Sequence, residues 1–260
     1  DSTTGARALP IYQTSAFVFD DTADAAARFA LQKYGNIYSR VSNPTVASFE
    51  ERVASLEGGL GAVATASGLS AQYITFASLV GQGDHIVSSA NLYGGSITQL
   101  DVTLRRFGVE TTFVQSANPE DYAAAITEKT KLIYAETVAN PSGEIADIEG
   151  LAGVAHAHGI PLIIDSTIAT PYLCRPIEWG ADVVIHSATK FLGGHGTTLG
   201  GVVVESGRFD WNTDKFPLFD EPVASYGGLT WGGNFGEYAF LTRLRAEQLR
   251  DIGPVLSAQS

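Results

Sequence analysis

A lysine directly follows one of the most apolar stretches of the sequence in DVVIHSATKFLGGHG, residues 182–196, and an aspartate closes the equally apolar IPLIID at Asp165. Two further apolar runs end in polar or small residues. Asn140 and Pro141 follow LIYAETVA, and Ser67, Gly68 and Leu69 follow GAVATA. Ligands of open α/β sheets sit beyond the carboxyl ends of the strands, so these four endings are expected along one edge. A lysine partly withdrawn from water has a lowered pKa and offers a free amine that condenses with an aldehyde. An aspartate at a neighbouring strand end can keep a pyridine nitrogen protonated. A Schiff-base lysine and a ring-nitrogen carboxylate, here Lys190 and Asp165, are the pair that pyridoxal phosphate requires. The helix opening at Ser67, Gly68 and Leu69 presents backbone N–H groups suited to a phosphate, helped by the hydroxyls of Ser187 and Thr189. Tyr93, in NLYGG, is placed to stack on the ring.

The elements that must position these groups follow from periodicity. Seven apolar, β-branched runs read as strands: GAVATAS, DHIVSS, VETTFV, KLIYAET, IPLIIDS, DVVIHS and GGVVVES. Between them, SGLSAQYITFASLV, GGSITQLDVTLRRFG, PEDYAAAITEK and IEGLAGVAHAHG carry helical periodicity. Runs apolar on both faces, recurring at nearly even spacing from Asp84 to Asp182, predict an α/β fold with a mostly parallel sheet covered by helices on both faces. Residues 1–43 are aromatic, turn-rich and short of periodic structure, and read as an arm. Asn43 and Pro44 form a cap and first-turn pair that opens the next helix. An α/β domain spans 44–235, and 236–260 reads as the start of a long amphipathic helix whose next element is missing.

Composition narrows the function classes. The 260 residues are 45% hydrophobic, enough for a large core, and 28 acidic against 16 basic residues give a net charge of −12. That balance argues against a nucleic-acid partner, because phosphate backbones are gripped by clustered Lys and Arg. No apolar run approaches the roughly 18 residues of a membrane span, and the first residues lack a signal-peptide pattern. The absence of methionine, an initiator included, points to a chain trimmed from a longer product. Cys174, the only cysteine, reads as structural and suggests a reducing, cytoplasmic setting. HAHG at 156–159 reads as a helix end, where histidine complements the dipole, with no carboxylate evident beside it, so no metal is expected. GGHGTTLGG lacks the register of a dinucleotide fingerprint, which disfavours an oxidoreductase.

DVVIHSATKFLGGHG, YSRVSNPT, ASGLSA, NLYGGS, ETVANP and IIDST together resemble the Cys/Met-metabolism, or trans-sulfuration, group of fold type I pyridoxal-phosphate enzymes, over nearly the whole chain. The resemblance implies that Lys190 carries the cofactor as an imine and shuttles protons, and that Asp165 pairs with the pyridinium. It implies that Tyr93 stacks on the ring and assists proton transfer, and that Gly68, Leu69, Ser187 and Thr189 hold the phosphate. Asn140 would lie near the ring hydroxyl and Thr167 would line the pocket. Tyr38 and Arg40 would reach a neighbouring subunit's phosphate, making the arm an interface element of a tetramer built from active-site dimers. The opening GARALPIYQTSAFVFDD and the aromatic insertion at 207–231 are most similar to members that make homocysteine from O-acetylhomoserine and sulfide, in methionine biosynthesis. Gly95, where the family's methionine γ-lyases carry a cysteine, speaks against a lyase. The alternatives are cystathionine γ-synthase or O-succinylhomoserine chemistry, or a truncated, non-catalytic fragment that binds the cofactor.

Overall fold

A computed structural model describes residues 5–260. All seven strands read from the sequence form: β1 (Gly61–Thr65), β2 (His85–Ser89), β3 (Glu110–Val114), β4 (Thr130–Glu136), β5 (Leu162–Asp165), β6 (Val183–His186) and β7 (Gly201–Glu205). They make one sheet in the order β1-β7-β6-β5-β4-β2-β3. Every neighbouring pair is parallel except the two that involve β7, which runs antiparallel to both β1 and β6. The carboxyl ends of β1, β4, β5 and β6 therefore share one edge, and β7 begins there.

Successive side chains of a strand point to opposite faces, and the two faces have separate cores. Val63, Ile163, Val183, Ile185 and Val203 join one core with α3 (Gly68–Leu79) and the buried rings of Trp211, Phe216 and Phe219. Ala62, Ile164, Val184, Val202 and Val204 join the other, under α2 (Pro44–Glu57), α5 (Pro119–Ala125) and α6 (Ile148–Ala157). Both faces are covered, as the continuous apolar runs require.

Three segments depart from the sequence reading. The arm contains a helix, α1 (Thr22–Phe29), whose Asp21 cap accepts from the Asp24 N–H. Asp24 binds Lys33 Nζ at 2.5 Å and Arg28 Nε at 3.1 Å, and these cations, Lys33 foremost, pull its carboxyl down to about 2. The arm thus has a polar centre that hydrophobic periodicity does not register. The helix over 94–108 is irregular: α4 (Gly94–Thr98) passes into a π-helical turn at Gln99–Thr103 and a 3-10 turn at Leu104–Phe107. The chain from Ala239 to Ile252 is helical but widens into a π-helical stretch at Leu244–Leu249. Phe240, Leu241, Leu244 and Leu249 are buried against this same core, which accounts for the amphipathic pattern from within the chain.

Candidate active site

A cavity of about 520 Å3 opens at the shared carboxyl edge. Its lining includes Ser67, Gly68, Leu69, Tyr93, Asn140, Asp165, Thr167, Ser187, Thr189 and Lys190. The sequence-predicted residues are thus brought together, with two exceptions. Tyr38 and Arg40 lie outside the cavity, both exposed, with the Arg40 guanidinium 5.3 Å from the centre of the Tyr38 ring.

Asp165, the last residue of β5, is 8% exposed. Its Oδ1 accepts from the Thr167 N–H at 2.9 Å and its Oδ2 from Gln72 Nε2 at 3.0 Å. Both oxygens are therefore oriented before any ligand arrives. Thr167 extends the chain of contacts, since its Oγ1 accepts from the Ser187 N–H at 2.8 Å. That bond ties the loop after β5 to the loop that carries the lysine.

Lys190 corrects one expectation. It lines the cavity but is exposed, and its amine makes no hydrogen bond or ion pair among the described residues. Gly193, Gly194 and Gly196 follow it, so the loop after β6 is a series of open turns rather than a packed wall. Dryness at this amine is not supplied by the chain's own atoms.

The phosphate-binding expectation is met unevenly. Ser67 caps α3, its Oγ accepting from the Ser70 N–H at 3.2 Å, and Gly68 and Leu69 open that helix with N–H groups that have no intrahelical partner. A Cβ on Gly68 would come within 2.6 Å of Ser187 Cβ, so only glycine lets the helix N-terminus approach the lysine loop this closely. The Ser187 hydroxyl has no partner among the described residues. The Thr189 hydroxyl is already engaged, bonding both the N–H and the carbonyl of Gly200 at 3.0 and 3.2 Å. Helix N–H groups and a free hydroxyl beside a lysine and an oriented carboxylate are the donor set that pyridoxal phosphate needs, and the cradle fits that group. Opposite, the Tyr93 ring is half exposed, and a Cβ at Gly95 would lie 2.5 Å from its Cε1. Glycine at 95 is thus what allows the ring its present position. Asn140, exposed, begins a cis bond to Pro141.

Two lining residues were not singled out from sequence. Gln72 lies on α3 and is 3% exposed; in GLSAQYITFASL it is one polar residue among several, which gave no distinct signal. Glu136 ends β4, 7% exposed, beside Asp165 in the strand register. Its Oε1 accepts from the Tyr93 N–H at 2.7 Å and its Oε2 from the Asn140 N–H at 2.9 Å. Burial pushes its carboxyl up to about 7, against the two N–H donors, with the Asp165 charge adding to the rise. It stands inside the quoted ETVANP, as a charge closing an apolar strand. Elsewhere, His156 does have a carboxylate: Asp182 Oδ2 lies 2.9 Å from its Nε2, and that bond raises the imidazole pKa. Their separation of 26 positions hid the pair.

A sulfhydrylase of Fusarium oxysporum f. sp. lycopersici is 54% identical over 260 residues, covering 99% of this chain and 60% of the relative. The O-acetyl-L-homoserine sulfhydrylase of Leptospira meyeri is 46% identical over 265 residues, with the same coverage. A crystal structure from Campylobacter jejuni, described as an O-acetylhomoserine (thiol)-lyase with N'-pyridoxyl-lysine-5'-monophosphate, superposes with a TM-score of 0.93 at 37% identity, covering 96% of this chain and 63% of that one. The chain spans about 60% of the length of these curated relatives. The family of Cys/Met metabolism PLP-dependent enzymes matches residues 1–260. The chain belongs to this pyridoxal-phosphate-dependent family.

Proposed function

We propose that the protein replaces the γ-substituent of O-acetylhomoserine with sulfide, giving homocysteine and acetate, with pyridoxal phosphate carried on Lys190. One observation carries the reading: the Lys190 side chain and the Asp165 carboxylate line one cavity, with Asp165 held by two donors from separate elements. When bound, pyridoxal phosphate supplies an electron sink for negative charge at the substrate α-carbon.

This chain's residues do the rest. The Lys190 amine is the base that takes the proton from the α-carbon and returns it at the end. Asp165, fixed by Gln72 and Thr167, would hold a proton on the ring nitrogen. Gly68, Leu69 and Ser187 hold the phosphate, and Ser67 keeps the helix end in place. The Tyr93 ring gives a flat contact surface. Its hydroxyl would serve as the hydrogen-bond donor at the γ-carbon, where acetate leaves and sulfide enters. Tyr38 and Arg40 serve the neighbouring subunit's phosphate in a tetramer of active-site dimers; their exposure away from their own cavity supports that role. The lone Cys174 fits a cytoplasmic setting, and no helix among the described residues is long and apolar enough to cross a membrane.

The test is reduction of the cofactor-loaded protein with borohydride, followed by peptide mapping. The label is expected on Lys190, and Lys190→Ala should remove it together with the visible absorption and lower turnover on the order of 1000-fold or more. A label on another lysine would overturn the reading. Turnover of O-acetyl- and O-succinylhomoserine, read as homocysteine with sulfide and as cystathionine with cysteine, fixes the leaving group and the nucleophile.

A further inference from the structure

The loops that present Tyr93 and Asn140 have few attachments of their own. The Tyr93 hydroxyl and the Asn140 side-chain amide make no hydrogen bond among the described residues, and both residues are exposed. What joins the two loops is the carboxylate between them. Glu136 Oε1 takes the Tyr93 N–H and Oε2 takes the Asn140 N–H, at 2.7 and 2.9 Å. A second tie lies farther out, where Asn91 Nδ2 donates to Glu144 Oε2 at 3.1 Å. Glu136 is anchored in turn by the sheet, because it closes β4 directly beside Asp165 on β5. One rigid strand end thus sets the position of the ring-stacking tyrosine relative to the carboxylate that faces the ring nitrogen.

We infer that Glu136 is a positioning residue: its carboxylate, by holding the Tyr93 and Asn140 N–H groups together, fixes the gap into which the cofactor ring fits. The inference rests on the reading of the cavity as a pyridoxal-phosphate site. Only the ionised carboxyl serves both donors. A protonated one, or the amide of glutamine, sets a hydrogen against one of them and releases one loop. Charge-assisted bonds of this kind are the stronger ones, and each lost in a buried setting is felt.

The experiment compares the cofactor-loaded wild type with Glu136→Gln and Glu136→Asp. Both variants are expected to retain the label on Lys190, because neither touches the lysine. Glu136→Gln should bind pyridoxal phosphate about tenfold more weakly. It should lose most of the visible circular dichroism that a ring held on one face produces, and lower kcat more than it raises KM. Glu136→Asp keeps the charge but shortens the reach, so it should show the same spectroscopic loss. A purely structural role would lower Tm without moving the dichroism. Should the variants fold poorly, amide hydrogen exchange on the wild type decides: the Tyr93 and Asn140 amides are expected to exchange far more slowly than that of Ser142, which has no partner among the described residues. Fast exchange at both, or variants with wild-type affinity, dichroism and kcat, would overturn the inference and leave the cofactor reading standing. A wild type that takes up no cofactor would sink both.

Discussion

Around the cavity, Asp165, Glu136 and Thr167 hold backbone and amide donors at 2.7 to 3.0 Å, while Lys190, Tyr93 and Asn140 stay exposed. In the segment after β7, Trp211, Phe216, Phe219 and Phe240 are buried and meet ring to ring; Trp211 and Phe240 stack with centroids 4.8 Å apart. One region is specified by direction, the other by volume. Hydrogen bonds to charged groups fix angles and leave room for a ligand, whereas packed rings fill space and leave none. The same chain therefore keeps its stability and its chemistry in separate places. Damage to one should spare the other.

Truncating a ring tests the separation most severely. Trp211→Ala opens a cavity against Phe209, Phe216, Phe219 and Phe240, and should cost about 3–5 kcal/mol by chemical denaturation. The folded fraction should still take up pyridoxal phosphate with unchanged affinity. Impaired affinity in that fraction would show that the two regions are coupled.

The acid beneath Trp211 gives the comparison a pH dependence. Burial pushes the Glu205 carboxyl up to about 8, the Trp211 Nε1 bond at 2.5 Å and the Leu241 N–H opposing it only in part. The folded state thus holds this proton more tightly than the unfolded chain. The resulting stability is complete below about pH 4.5 and is lost as pH rises through about 8. Tm should fall between pH 6 and pH 8 by the equivalent of about 1–3 kcal/mol more in wild type than in Glu205→Gln. Glu136 adds a slope of the same sign from the cavity side. Parallel Tm curves for the two proteins would contradict the assignment.

The mildest expected change lies in the cavity itself. Thr167→Val deletes the acceptor of the Ser187 N–H and should cost only about 1 kcal/mol of stability. Its larger effect should appear in cofactor affinity, measured by titration, because the loop that carries Lys190 loses its tie to Asp165. If stability fell and affinity did not, direction would matter less here than the comparison holds.

The strands were legible because both faces of the sheet are covered, so each reads as an uninterrupted apolar run with a polar stop. Asp165, Lys190 and Asn140 were legible for the same reason, being those stops. Glu136 is a stop of the same kind. It was passed over because its partners are main-chain N–H groups, which no side-chain pattern records. Gln72 was hidden by distance, since Asp165 lies 93 positions away. Asp24 escaped because its three-residue polar cluster leaves no apolar periodicity behind. The exposure of Lys190 could not be read from its position after β6, because strand ends give the address of a side chain and not the depth of the cleft around it.

The reversed strand has a consequence for the amine. Parallel neighbours need a crossover that carries the chain back to the opposite edge, but β7 starts where β6 ends, with His186 paired to Val202. The segment bearing Lys190 is therefore a closed span, moored at both feet to adjacent strands and cross-braced where Thr189 meets Gly200. Closing it was accomplished by folding, so the freedom left to the lysine is that of its own methylene stem. On the proposed reading, an amine so leashed would stay near the ring whenever it is displaced, which makes its local concentration a property of the sheet.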